Sequence, residues 1–405
     1  MMVDQIKRKI DKVFEEVVSI RRHLHMYPEL SNQEENTMAF ISDYLTQLGI
    51  PHETNVGGHG VVGIIGNHQA DFAIGIRADI DALPIQEMND VPYASKVPGV
   101  MHACGHDIHT AVLMGTAKIL KEMEGELKGA VKLFFQPAEE NGGGARQMIE
   151  DGCMQNPPVR RVLGFHVDPA YPAGHIVLFP HQMCACSTGL RITVEGATCH
   201  GSRPDRGIDA VIASAHVLTA LQNVASRVVS PLKPVVVTVG SIHGGTKGNI
   251  IAGEVEMCGT IRTLDLETRD LVKAQVKKVA EAAAVSCGAT ATVVTKNGYP
   301  PVICDEDTTM ILAKVMEEAL GTEGYTIRTE PGMGGEDFSY FADAVPSSYF
   351  RLGTVSTDTG HKQMLHSEWL CPDESCMKNG ILTEILGTLA LLEEEYNKMK
   401  EKNYD

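Results

Sequence analysis

The chain has 405 residues, 43% hydrophobic and 21% charged, with 35 Lys and Arg against 52 Asp and Glu for a formal net charge of −17. That length exceeds what one ordinary core serves and suits two domains, and the balance is that of a globular protein. The acidic excess argues against nucleic acid or an anionic membrane as a partner, and no run of about 18 apolar residues offers a membrane span.

The N-terminal stretch "MVDQIKRKIDKVFEEVVSI" is charged and amphipathic, and lacks the apolar centre of a signal peptide, which predicts a cytosolic protein. Helices are expected over 6–24 and 33–48, then strands at 61–66 and 72–79, a helix after Asp107, and a strand at 130–137. A helix at 144–152 and a short strand at 161–167 follow. Apolar strands alternating with helices predict an α/β sheet covered on both faces. The texture changes near Thr188. Strand 190–196, helix 208–226, strands 234–240 and 253–263, helix 267–287 and strand 289–296 form the strand–helix–strand–strand–helix–strand order of a ferredoxin-like α+β unit. The α/β texture then returns, with a helix near 306–320, a strand at 347–353 and a closing helix over 376–398. The expected organisation is a mixed sheet covered by helices, built from 1–186 and 298–405, with 187–297 inserted into it.

The polar residues at strand ends carry the chemistry in such folds. "IRADIDALP" puts Asp79 and Asp81 past a buried strand, "HACGHD" offers Cys104 and His106, "FFQPAEENGGG" offers Glu139 and Glu140, "GFHVDP" offers His166, and "MLHSEW" offers His366. Thiolate, imidazole and carboxylate are the ligands of a borderline metal such as zinc. Cys104, His106, Glu140, His166 and His366 make five donors, which fit two metals if one ligand, such as the thiolate, bridges or if water completes the shell. Glu139 is then free to act as general base toward a water of lowered pKa. Two other readings stay open. Cys104 with His106 could form a cysteine hydrolase, and the fold could be a catalytically silent ligand-binding protein. The ten cysteines are scattered and expected to be reduced. Cys184 and Cys186 read as buried small apolar side chains rather than half a metal site.

In order along nearly the whole chain, "RADIDALP", "HACGHDIHTAVLMG", "FFQPAEENGGGA", "GFHVDP", "CHGSRPDRGIDA", "GNIIAGE", "GTIRT", "GGEDFSYF" and "LHSEW" resemble the aminoacylase and carboxypeptidase group of dinuclear metallopeptidases. The resemblance is to its branch of hippurate hydrolases, auxin–amino-acid conjugate hydrolases and N-acetyl-diaminopimelate deacetylases. It implies an amidohydrolase of N-acyl amino acids holding two divalent ions (zinc, manganese, cobalt or nickel) on Cys104, His106, Glu140, His166 and His366. It implies Glu139 as general base and proton donor, and Asp79 and Asp81 behind the ligands, orienting them. It implies an inserted lid that dimerises, with His200 reaching the partner's site to stabilise an oxyanion. Asn249 and Arg262 would bind substrate, Arg262 through its carboxylate, and Gly334 and Gly335 would let backbone approach it. No role is implied for His109, and Asp107 is expected to cap its helix. Thr188, Asp205, Ala252, Glu368 and Trp369 depart from the family pattern, which leaves the acyl group and the amino acid open.

Overall fold

The computed structural model describes residues 2–356 and 364–402. Helix α1 (Met2–Met26) buries Ile6, Ile10, Val13, Val17, Ile20 and Leu24, apolar positions three and four apart on one face. Helix α2 (Glu35–Gln47) leads into strands β1 (His52–Val56), β2 (Gly60–Ile65) and β3 (Ala73–Asp79). Then come α3 (His106–Glu122), β4 (Ala130–Gln136), α4 (Gly144–Glu150), β5 (Val159–Pro172) and β6 (Ile176–Leu178). The middle of the chain forms β7 (Cys186–Glu195), β8 (Cys199–His200), α5 (Ala210–Asn223), β9 (Val235–Gly244), β10 (Ile250–Ile251), β11 (Glu254–Thr263), α6 (Leu266–Ser286) and β12 (Thr290–Asn297). The chain closes with α7 (Glu306–Leu320), β13 (Tyr325–Ile327), α8 (Ser339–Ala344), β14 (Ser347–Val355) and α9 (Cys376–Lys402).

These elements form two compact units. The first comprises Met1–His181, Ile303–Thr329 and Asp337–Asp405, and the second Gln182–Val302 with Glu330–Glu336. The first unit holds an eight-stranded sheet in the order β1-β2-β4-β3-β5-β14-β6-β13. Its centre, β4-β3-β5-β14, is parallel, and β2 joins it antiparallel. Every residue of β3 and β4 is buried, as a strand covered on both faces must be. The core includes Ile74, Ile76, Leu133, Phe135, Leu163 and Phe165 with Val17, Leu113, Leu312 and Ile381 from the helices.

The second unit's sheet has the order β12-β7-β11-β9, all antiparallel, with α5 and α6 as the two crossovers. This is the split βαβ arrangement of a ferredoxin-like fold. Ile192, Val194, Met257 and Ile261 face Val217, Leu221, Val272 and Val276 in its core. Strand β8 pairs with β10 as a two-stranded ribbon.

The structure differs from the sequence reading in places. Strand β5 runs on to Pro172, well past the expected 167, because β14 pairs along it as far as Pro172. Helix α5 ends at Asn223, and residues 224–228 form a π-helical turn. Asp107 does not cap its helix. Gly105 stands at that position, in the left-handed conformation, and Asp107 is buried inside the first turn. There its Oδ2 lies 2.8 Å from Arg21 Nε in an ion pair and shares a hydrogen bond of 2.7 Å with His25 Nδ1. An internal ion pair has taken the carboxylate that a cap would have used. No helix among the described residues is long and apolar enough to cross a membrane.

Candidate metal centre

The carboxyl ends of β4, β3 and β5, three neighbouring parallel strands, deliver Glu139 and Glu140, Asp79 and Asp81, and His166 to one place. Cys104 and His106 arrive at the start of α3. Gly105 between them has φ +83°, and a Cβ there would meet Val167 Cγ2 at 2.5 Å, so only glycine admits this tight entry. His366, far along the chain, is tied in by its own N–H, which donates to the Ala103 carbonyl at 2.7 Å. Met101, Ala103 and Leu370 pack together beneath it. Ala138 (φ 54°) and His366 (φ 62°) sit in the left-handed region. That conformation costs on the order of 1–3 kcal/mol each and persists where surrounding contacts impose it.

Two sets of three donors share Cys104. Cys104, His106 and His166 offer ligand atoms within 4.8 Å of one another, and so do Cys104, Glu140 and His366. Cys104 Sγ lies 3.2 Å from His166 Nε2 and 3.3 Å from His366 Nε2. Glu140 Oε1 is 3.4 Å from His366 Nε2 and 4.0 Å from His106 Nε2. Glu139, 7% exposed, groups with His106 and Glu140 at the same spacing. The structure therefore brings together all five residues expected as ligands and the glutamate expected as base.

Behind the donors, the imidazoles of His106 and His166 are aimed. Asp81 Oδ1 lies 3.2 Å from His106 Nδ1, turning Nε2 toward the centre. Asp81 Oδ2 accepts from Ser31 Oγ and the Glu140 N–H. His166 Nδ1 donates to the Val167 carbonyl at 2.7 Å, which frees its Nε2. Asp79 is held by Arg77 at 2.7 Å and His109 at 2.5 Å.

A bound cation fits this arrangement. His106 Nε2 and Glu140 Oε1 are buried and have no hydrogen-bond partner, a state that costs about 1–3 kcal/mol unless something occupies the gap. Burial alone would push the His106 imidazole down, but Asp79, Asp81 and Glu140 hold it up at about 10. Carboxylates that bind a proton this tightly bind a metal ion by the same field. Burial pulls His166 well below its usual range, with Arg351 adding to it, so its ring is neutral, as a ligand must be. Burial, then Glu140 and Glu139, push the Cys104 thiol well above its usual range. A nucleophilic cysteine needs the opposite shift, so the cysteine-hydrolase reading loses its support. Among the described residues, neither Cys184 nor Cys186 belongs to a metal-holding group; both are buried, and Cys186 Sγ contacts Thr263.

The second unit holds the remaining expected residues in two places. His200 pairs with Ile250 across the β8–β10 ribbon, and the Asn249 carbonyl accepts from the Gly201 N–H at 2.8 Å. Arg262 pairs with Ser187 at the other end of β11 and β7. A Cβ on Gly335 would lie 2.9 Å from Arg262 Nη1, whereas Gly334 has open space around it.

The sequence reading passed over the support beneath the centre. Arg77, fully buried, donates to Asp79, Gln136, Tyr349 and Asp337. Asp337 also accepts from Gln136 and the Ala145 N–H. An arginine inside the apolar run "FAIGIRAD" was the available signal, since a buried guanidinium requires carboxylates around it.

A family model described as Peptidase family M20/M25/M40 matches residues 75–383. The chain is similar to the N-acetyl-L-cysteine deacetylase of Bacillus subtilis, 40% identical over 85% of this chain and 82% of that one. It is also similar to the IAA-amino acid hydrolase ILR1-like 4 of Arabidopsis thaliana, 35% identical over 98% and 90%. Among solved structures, the YXEP protein of Bacillus subtilis, described as a dinuclear metal binding peptidase from the M20 family, superposes with a TM-score of 0.80. It is 32% identical and covers 95% of this chain and 99% of that one.

Proposed function

The chain belongs to peptidase family M20/M25/M40, and on that premise we propose that it hydrolyses the amide of N-acyl amino acids, releasing a carboxylic acid and a free amino acid. The observation that carries this is the sharing of Cys104 between two three-donor sets, with Glu139 alongside. Relatives named for N-acetylcysteine and for amino-acid conjugates support the substrate class.

In this reading Cys104, His106 and His166 would hold one divalent ion, and Cys104, Glu140 and His366 would hold a second. When bound, such ions polarise a carbonyl and lower the pKa of water. Glu139 takes the proton of the attacking water on a carboxylate oxygen and returns it to the departing amine. Asp81 keeps His106 Nε2 turned inward throughout, and Asp79 steadies the same edge. Arg262 takes the substrate carboxylate bidentately, with Gly335 leaving room for its guanidinium. His200 donates to the developing oxyanion, and Asn249 joins Arg262 in holding the substrate carboxylate.

The distances within the second unit support a homodimer in this reading. From Ser187, the partner of Arg262, to Glu195 is roughly 26 Å of strand, and His200 lies beyond. One amino-acid-sized substrate does not reach both ends, so His200 and Asn249 would serve the partner's site.

The test is metal content and turnover on N-acetyl, N-benzoyl and indole-acetyl amino acids, before and after chelation. About two ions per chain, and activity lost on chelation and restored by divalent metal, are expected. Chelator-resistant turnover would sink the mechanism.

A further inference from the structure

His109 follows the ligand His106 by one turn of α3 and is fully buried. Both of its nitrogens are used. Nδ1 meets Asp79 Oδ1 at 2.5 Å, and Nε2 accepts from the Val167 N–H at 3.0 Å. The acceptor role at Nε2 puts the proton on Nδ1, where a carboxylate takes the bond. The ring packs edge-on against Phe165, with centroids 4.9 Å apart and planes at 70°, so it has no freedom to turn.

The place of these bonds matters. Strands β3 and β5 pair in parallel register as far as Arg77 and Gly164. Beyond that point the ladder stops, and the strands part to make the crevice that holds the donors. Asp79 lies just past the break on β3, and Val167 just past it on β5. The backbone N–H of Val167 finds no carbonyl on β3 and is taken by His109 instead. The ladder is thus continued by a side chain that spans the gap.

We propose that His109 is a positioning residue, a strut in its Nδ1–H form that fixes the separation of the β3 and β5 ends and so places His166 relative to Cys104 and His106. This rests on the metal reading above. His166 is the residue next to Val167, and its own Nδ1 is bonded to the Val167 carbonyl. Movement of that peptide moves the His166 ring. The Cys104–Glu140–His366 set has no element from β5, so the strut governs one set of donors and spares the other.

Two variants separate the bonds. In His109→Asn the amide nitrogen reaches about where Nδ1 lies and keeps the bond to Asp79. In His109→Gln the amide oxygen reaches about where Nε2 lies and keeps the bond to Val167. Each is purified without metal and titrated with cobalt(II) against a chromophoric chelator, following the thiolate-to-cobalt absorption of Cys104. Amide exchange at Val167 is measured on the metal-free protein. Wild type is expected to take up two ions. In His109→Asn, Val167 exchanges faster and one ion binds about 10- to 100-fold more weakly, the size of effect that residues behind metal ligands carry, while the other is held as in wild type. His109→Gln restores Val167 protection and recovers affinity at least in part. Wild-type affinity for both ions in a folded His109→Asn, or equal weakening of both, would overturn the strut. Absence of cobalt uptake by wild type itself would overturn the metal reading, and the strut with it.

Discussion

Glu384 gives the most quantitative handle on this protein's stability. It sits in α9, fully buried, where the helix packs on α3 and α7. Thr116 donates to its Oε2 at 2.6 Å, and its Oε1 has no partner. Burial raises the carboxyl from 4.5 to about 8, against the opposing effect of the Thr116 hydrogen bond. A rise of about 3.5 units, at ~1.36 kcal/mol per unit, comes to roughly 5 kcal/mol. The sign follows from which state binds the proton. Below about pH 4.5 both folded and unfolded chains are protonated, and the group contributes nothing. Between about 4.5 and 8 the unfolded chain ionises while the folded one does not, so stability falls as pH rises. Above about 8 the loss levels off. Glu384→Gln removes the proton and keeps the shape. The variant is therefore expected to gain on wild type by roughly 3 kcal/mol between pH 4.5 and 7, and by roughly 5 by pH 9. Urea unfolding at a series of pH values measures it. The sole tryptophan, Trp369, belongs to the same unit and reports its transition. A constant difference between the two proteins from pH 5 to 9 would show that the carboxylate is already ionised in the folded chain.

Other substitutions address the site. Glu139→Gln should keep both ions and lower kcat by about 10²- to 10⁴-fold, the usual contribution of a general base; metal analysis beside steady-state kinetics checks it. Gly335→Ala places a methyl 2.9 Å from Arg262 Nη1, so the guanidinium must swing aside. KM for N-acyl amino acids should rise about tenfold with little change in melting temperature, and an unchanged KM would remove Arg262 from carboxylate binding. Arg77→Met strands Asp79 and Asp337 without their counter-charge, and calorimetry should show a loss of about 3–5 kcal/mol.

The sequence and the structure agree best where a side chain's type dictates its surroundings. Apolar β3, β4 and β14 could only be covered strands, and the carboxylates and imidazole at the ends of β3, β4 and β5, with the thiol and imidazole at the start of α3, could be gathered by eye. Short strands were invisible. The polar β1 "HETNV" and the three-residue β6 and β13 carry no periodicity of their own and exist because a neighbour's edge pairs with them. Asp107 was misread for a related reason. A cap is a local device, whereas Arg21 and His25 come from a helix some 80 residues earlier, and nothing near Asp107 announces them. His109 had no reading at all, since its two bonds exist only after β3 and β5 have parted.

The order in which the ribosome delivers these parts has a consequence of its own. Apart from Glu330–Glu336, the second unit is one unbroken stretch, and it can fold as it emerges. The first unit is interrupted, with Cys104, His106, Glu140 and His166 made before the insertion and His366 after it. At about 5–20 residues per second, His366 follows Cys104 by on the order of 10–50 s. Through that interval the Cys104 thiol waits without His366, one of the four side chains grouped with it. The nascent chain is then at its most exposed to oxidation and to capture of a stray metal, and a reducing environment during synthesis matters more to this protein than its finished, buried cysteine would suggest.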